Sequence, residues 1–346
     1  MKFLKFFNFF KNMDSTVIVT SSKNLQDFAF KVFIIAAAII FVWTGIVAVN
    51  HFFKPSKSVA VAAQNSENTN NVVVNYPPQI PDTVIFAGDV IPTHLFDVYE
   101  SLDNEILAFT FWHSNMYRYF KRANRYFPII EPILEKNNIP NDFKYLALAE
   151  SGLTNATSPA GAKGYWQFME ATAKSFKLEV NSAVDERMNL EKSTQAACEY
   201  LLNSYNKYKD WALVAASYNY GQGNVDKQLQ QQATDNYYDL MLNSETARYY
   251  FRLIALKIVM ENPINYGFGF SSSDLYPTIP TEELIVDTTI NNLVQFAADH
   301  NTNLKILKEL NPWLRENNLP NASRKEYKIL IPKAGCRELE TIWELQ

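Results

Sequence analysis

Cysteine, histidine and clustered basic charge are the scarcest features of this chain. Its 346 residues hold only two cysteines, Cys198 and Cys336, too few for a disulfide framework, and the sequence leaves open whether they pair. Four histidines with no zinc-type Cys/His spacing give no metal site. A net charge of −4 without any Lys/Arg run excludes the basic footprint of a nucleic-acid binder. Apolar residues, by contrast, make up 47% of the chain, enough to bury a sizeable core. Aromatic residues reach 14%, with 19 tyrosines, which suits a groove that stacks sugar rings and equally an ordinary core.

One long hydrophobic run stands apart. Val32 to Val49 reads VFIIAAAIIFVWTGIVAV without a charge, and its 18 residues would span about 27 Å as a helix, close to a bilayer core. Lys2, Lys5, Lys11, Lys23 and Lys31 precede it, which favours an N-terminus inside and export of the chain beyond Asn50. The expectation is a cytoplasmic segment at 1–31, a single-pass anchor at 32–50 and a flexible linker at 51–81, rich in Asn, Ser, Val and Pro. A cleaved signal peptide and a buried core helix are the rival readings; the run is long for the first and apolar all round, which disfavours the second.

From about Pro92 to Gly269 the pattern is helical, punctuated by glycines and without sustained period-two alternation. Within it, Pro140 to Gly152 predicts a helix capped by Asn141, with Asp142 at its positive end and Gly152 taking the left-handed position after its last turn. Phe143, Leu146 and Ala147 form the apolar stripe, and Glu150 continues it at i+7 from Phe143 and i+4 from Leu146. A carboxyl on a core-facing stripe has its pKa raised, as a general acid requires. The alternative is a solvated glutamate at a frayed helix end. Downstream, Ser158 to Met169 reads as a glycine-containing turn that opens a helix, with Gly161 and Gly164 letting a ligand approach the main chain and Gln167 offering a donor and an acceptor. A helix from Trp211 then places the Tyr218 hydroxyl at the end of another apolar stripe, where a core tyrosine with a satisfied hydroxyl is the plainer reading.

Taken in order, E-S-G-L, S-P-A-G-A-K-G-Y-W-Q-F-M, D-E-R-M-N, S-T-Q-A-A, D-W-A-L-V-A-A-S-Y-N-Y-G-Q-G-N-V and E-T-A-R-Y-Y resemble the lytic transglycosylase domain, of the membrane-bound lytic murein transglycosylase D type. The resemblance covers about Pro128 to Gly269, and the helices before it also look like that type. It implies a mainly α chain whose catalytic domain, 128–270, is lysozyme-like and follows an N-terminal helical part at 82–127. It further implies cleavage of the bond from N-acetylmuramic acid to N-acetylglucosamine by one carboxyl, matching Glu150, without cofactor or metal. By the same resemblance Ser158, Gln167, Phe168, Tyr218, Asn219 and Glu245 line the sugar subsites or orient Glu150. No second acidic residue at a catalytic-looking position stands beside Glu150; Asp185 and Glu186, with Arg187, read as structural ion-pairing. A hydrolase of goose-type lysozyme kind, which would use a second carboxylate, and a wall-binding scaffold without turnover are the competing functions.

After Pro280 the pattern changes. A strand at Glu283 to Asp287, helices at Ile290 to His300 and Leu304 to Leu310, and a strand at Tyr327 to Pro332 make a β-α-α-β order resembling one LysM repeat, expected at 281–334. The usual glycine before Asp287-Thr288 is missing, and a small cap packed on the catalytic domain is the alternative. The implied partners are peptidoglycan strands and, through the N-terminal helix, a membrane, placing the catalytic part in the periplasm or otherwise outside the cytoplasmic membrane.

Overall fold

A computed structural model describes residues 76–345, so the expected anchor at 32–50 and most of the linker lie outside the described residues. Among those residues no helix is long and apolar enough to cross a membrane. The end of the expected linker is packed: Pro78 is buried, Ile80 lies against the core, and the Tyr266 hydroxyl donates to the Gln79 carbonyl at 2.9 Å.

The chain is mainly helical. A two-residue hairpin, β1 (Ile85–Phe86) and β2 (Asp89–Val90), precedes α1 (Phe96–Thr110) and α2 (His113–Lys136). Then come α3 (Lys144–Ser151), α4 (Glu170–Ser175), α5 (Leu190–Tyr208), α6 (Trp211–Tyr220), α7 (Gln222–Gln232) and α8 (Ser244–Glu261). The division expected at 127/128 falls inside α2, which carries Pro128 and Pro132 without breaking. Two helices fill the centre. In α6, Trp211 to Ser217 are all buried, and three alanines let neighbouring helices approach. In α8, ten side chains from Thr246 to Val259 are buried, the all-round burial of a central helix. Phe86, Phe143 and Tyr250 meet edge-to-face there, tying the hairpin to α8.

The C-terminal segment folds as β3 (Thr281–Val286), α9 (Leu293–Asp299), α10 (Leu304–Leu310) and β4 (Tyr327–Pro332). The strands are antiparallel, with Thr281 opposite Pro332 and Val286 opposite Tyr327. Alternation along β4 sends Tyr327, Ile329 and Ile331 inward. Asn311, wholly buried, clasps the same strand: its amide donates to the Leu330 carbonyl at 2.7 Å, and its oxygen accepts from the Leu330 N–H at 2.8 Å. The expected helix at Ile290 starts later, because Ile290 pairs with Leu319 and Asn292 caps α9.

This β-α-α-β unit does not stand alone. Its core continues into Ala183, Val184 and Met188 of the preceding domain. The Asp185 N–H donates to the Trp313 carbonyl at 3.0 Å, and the Arg315 N–H to the Ala183 carbonyl at 2.8 Å. Lys325 pairs with Glu179 at 2.6 Å and Glu186 at 3.0 Å. It is a packed cap as well as a β-α-α-β module. A last helix, α11 (Leu339–Glu344), ends the described chain; Cys198 and Cys336 are both buried free thiols.

Candidate active site

Helix α3 carries Glu150, the acid expected from the sequence, and its entry differs from expectation. Asn141 begins a 3₁₀ turn that runs into α3, with no side-chain cap. Asp142 instead accepts the Ala87 N–H at 2.7 Å and pairs with Lys257 at 2.8 Å. The stripe is as expected: Phe143, Leu146 and Ala147 are fully buried. At the other end Gly152 sits at φ 59°, where an added Cβ would lie 2.8 Å from the Tyr119 ring. Arg122 donates to the Gly152 carbonyl at 3.1 Å. Tyr119 and Arg122, both on α2, thus close over the end of α3.

Glu150 is half-buried, not solvated, and Oε1 accepts a hydrogen bond from the Tyr249 hydroxyl. Burial raises its pKa from the ordinary 4.5 to about 7, against the pull of the Tyr249 hydrogen bond and the Arg252 charge, and with help from the Glu245 charge. Tyr249 and Arg252 are functional candidates absent from the sequence reading. They lie on α8 at i+4 and i+7 from Glu245, so helical spacing within E-T-A-R-Y-Y carried the signal for Tyr249, while Arg252 falls two residues beyond that motif.

The turn from Asn155 to Phe168 is braced from below. Gly164 has φ 82°, and a Cβ there would sit 1.9 Å from the Arg187 carbonyl oxygen. Close approach at Gly164 therefore serves chain-to-chain packing, not the ligand approach expected from the sequence; Gly161 is open. Arg187 forks onto Asp185 through two bonds of 2.8 Å and donates to the Gly161 and Phe168 carbonyls at 3.3 Å each. Structural ion-pairing of Asp185, Glu186 and Arg187 is what the structure has, with Glu186 held by Lys192 and Lys325.

Of the expected site residues, Gln167 sits at φ 50° and its amide donates to the Gly164 and Ala156 carbonyls at 2.7 and 3.1 Å. Ser158 closes the turn, its Oγ accepting the Ala162 N–H at 3.0 Å. The Tyr218 hydroxyl donates to the Trp166 carbonyl at 2.7 Å, so it is satisfied by main chain, while the Glu150 charge adds to the burial that raises its pKa. Phe168 is 3% exposed and packs its ring 6.1 Å from that of Tyr218, giving it to the core. Thr246 donates to Asn219 Oδ1 at 2.8 Å, and Asn219 Nδ2 donates to Glu245 at 3.5 Å. Tyr218 and Glu245 are thus each within electrostatic reach of Glu150, whereas Ser158 and Gln167 make their bonds inside the turn. Glu245, expected by resemblance to line a subsite or orient Glu150, is a second carboxylate whose charge reaches Glu150.

The two domains have counterparts. Residues 127–241 match the family model described as Transglycosylase SLT domain, and residues 282–335 match the Soluble lytic transglycosylase C-terminal LysM-like domain. The chain therefore carries an SLT domain followed by a LysM-like domain. It is similar to membrane-bound lytic murein transglycosylase D of Escherichia coli (strain K12), at 28% identity over 226 residues, 63% of this chain and 48% of that protein. The chain thus spans about half the length of the curated relative it matches. Among solved structures, the 70 kDa soluble lytic transglycosylase of Escherichia coli aligns with 43% of this chain and 26% of its own, at 21% identity and TM-score 0.35. An inactive variant of lytic transglycosylase Slt from Pseudomonas aeruginosa aligns with 44% and 26%, at 15% identity and TM-score 0.34.

Proposed function

We propose that the protein is a peptidoglycan lytic transglycosylase in which Glu150 acts first as acid and then as base. The observation that carries this is a half-buried carboxyl, raised to about 7, receiving a hydroxyl hydrogen bond at the end of a core-facing stripe. Protonated Glu150 gives its proton to the oxygen leaving between N-acetylmuramic acid and N-acetylglucosamine. The substrate's own N-acetyl group shields the positive anomeric centre. The Glu150 carboxylate then takes the proton of the muramic acid 6-hydroxyl as that oxygen bonds to the anomeric carbon, closing a 1,6-anhydro ring. Water is not consumed and Glu150 ends protonated, ready for the next cleavage.

In this reading Tyr249 holds Glu150, and Arg252 and Glu245 set its proton affinity. Ser158, Gln167, Phe168, Tyr218 and Asn219 shape the cleft wall, Phe168 by supporting Tyr218 from the core. The chain sits on the outer side of the cytoplasmic membrane, held by an anchor at 32–50 with its N-terminus inside; the uncharged run, the preceding lysines and the membrane-bound relative support this. The module at 281–334 adds weak glycan affinity that keeps the enzyme near its polymer. Mass analysis of sugar ends after digestion of purified sacculi tests the reaction, since anhydro ends are lighter than hydrolysed ends by one water. Glu150→Gln should yield neither.

One observation favours a second reading, a hydrolase. Glu245 is an exposed carboxylate whose charge reaches Glu150, and it could activate a water. Hydrolysed ends from the native chain, lost in Glu245→Gln, would establish that reading and end the first.

A further inference from the structure

The C-terminal module meets the catalytic domain at a strip that also holds the turn beside the proposed acid. On the module side, Lys325 is set by its own backbone. The buried Asn321 accepts the Lys325 N–H at 2.9 Å and donates to the Lys325 carbonyl at 2.7 Å. The Lys325 ammonium is thereby fixed between two carboxylates of the catalytic domain, Glu179 at 2.6 Å and Glu186 at 3.0 Å. Glu186 is buried and bonds twice to Glu179: its carboxylate accepts the Glu179 N–H at 2.8 Å, and its N–H donates to the Glu179 carbonyl at 2.8 Å. A buried carboxylate is stable only beside its cations, so Lys325 and Lys192 together locate Glu186.

Glu186 lies in the chain between the two partners of a fork. Asp185 holds Arg187 through two bonds, and Arg187 carries that restraint to the Gly161 and Phe168 carbonyls. A guanidinium fork is geometrically rigid, so a shift of the Glu186 peptide moves both ends of the turn. Between those ends the turn bonds to the surroundings of the acid. Ser151, next to Glu150, donates to the Tyr165 carbonyl at 2.8 Å. The Tyr218 hydroxyl, which feels the Glu150 charge, donates to the Trp166 carbonyl at 2.7 Å. A continuous series of bonds thus runs from Lys325 to the neighbour of Glu150.

We propose that Lys325 is a positioning residue for Glu150: through Glu186 and the Asp185–Arg187 fork it fixes the turn from Gly161 to Phe168, so the docked module is part of the active site. The proposal rests on Glu150 being the acid, and it gives the module a role in turnover besides its glycan affinity.

Two measurements on the full chain test this. Hydrogen exchange needs no substrate. Lys325→Met keeps the aliphatic stem without the charge, and should speed exchange about tenfold at the Lys163 and Gly164 amides, which donate to the Phe168 and Ala156 carbonyls. Lys328→Met removes a different ion pair of the module, to Glu191 on α5, and should leave those amides unchanged. The second measurement is turnover of a soluble tetrasaccharide of the glycan strand, on which tethering to a polymer confers nothing. Lys325→Met should lower kcat about tenfold with KM within about twofold, and Lys325→Arg should restore most of the loss. In a Glu186→Gln background, Lys325→Met should lower kcat by less than about twofold more, because both act on one element. Thermal unfolding checks that each variant is folded. Should Lys325→Met not fold, Lys325→Gln replaces it, with roughly threefold effects on exchange and kcat expected. Unchanged exchange in the turn, equal acceleration by Lys328→Met, a loss confined to sacculi, or independent losses from Lys325→Met and Glu186→Gln would each overturn the proposal. Failure of the transglycosylase reading shows separately, as native digestion without anhydro ends, and leaves the exchange comparison intact.

Discussion

Replacing Glu150 by Gln tests the environment of the acid without any substrate. Burial moves the folded carboxyl from the ordinary 4.5 to about 7, so folded and unfolded chains bind this proton differently between those values. Below 4.5 both states are protonated and the carboxyl costs the fold little. As pH rises to 7 the unfolded chain releases its proton first, and stability is lost with each step. Above 7 the loss is complete, and at 1.36 kcal/mol per pH unit it amounts to about 3 kcal/mol. Glutamine has the size of the protonated form and can still accept the Tyr249 hydrogen bond, but it carries no charge to desolvate. Denaturant unfolding of the native chain and of Glu150→Gln should therefore give nearly equal stability at pH 4.5. At pH 8 the variant should be the more stable by about 3 kcal/mol. All other titrating groups are shared and cancel in the difference. A difference that does not change with pH, or a variant less stable than the native chain at pH 8, would refute the argument that burial dominates at Glu150.

The groups around Glu150 move its pKa in opposite directions, so their variants should move the alkaline limb of activity in opposite directions. Tyr249→Phe removes a hydrogen bond that favours the carboxylate and should shift the limb to higher pH, by roughly one unit. Glu245→Gln removes a repelling charge and should shift the limb to lower pH; pH profiles of sacculus digestion check both. Gly164→Ala drives a methyl against the Arg187 carbonyl at a φ of 82° and should cost about 3 kcal/mol or more of stability, read from the unfolding midpoint. Asn311→Ala strips two half-buried main-chain groups of Leu330 of their partners and should cost roughly 2 kcal/mol, loosening the C-terminal module, as hydrogen exchange at β4 would report.

What the sequence made legible was periodic. Phe143, Leu146 and Ala147 gave α3 its buried face and so located Glu150, and the alternation of Tyr327, Ile329 and Ile331 gave β4 its register. What it hid was contact across the chain. Tyr249 reaches Glu150 from 99 positions away, and nothing local to either residue announces that bond. Gly164 reads as freedom for a ligand until Arg187 is seen against it. The cap at Asn141 failed for a similar reason: Asp142 found a backbone donor at Ala87 and a cation at Lys257, and the helix entry tightened into a 3₁₀ turn around them. The docking of the module is another such case, since Trp313 and Leu314 look like the interior of a free-standing repeat and in fact meet Asp185 and Val184.

A carboxyl that must give a proton and then take one back works best when neither form is strongly preferred at the ambient pH. An apolar stripe alone would overshoot: burial with nothing opposing it leaves an acid too weak to ionise after its first step. Here the hydroxyl of Tyr249 and the charge of Arg252 pull against burial, and the opposed effects leave Glu150 near 7. Both opposing groups come from α8, while Glu150 itself is carried by α3. The proton affinity of the site is therefore a property of how two helices are held together. In the proposed mechanism the apolar core that both helices share, with Leu146, Leu253 and Ile254 wholly buried in it, serves the chemistry even though none of those side chains can carry a proton.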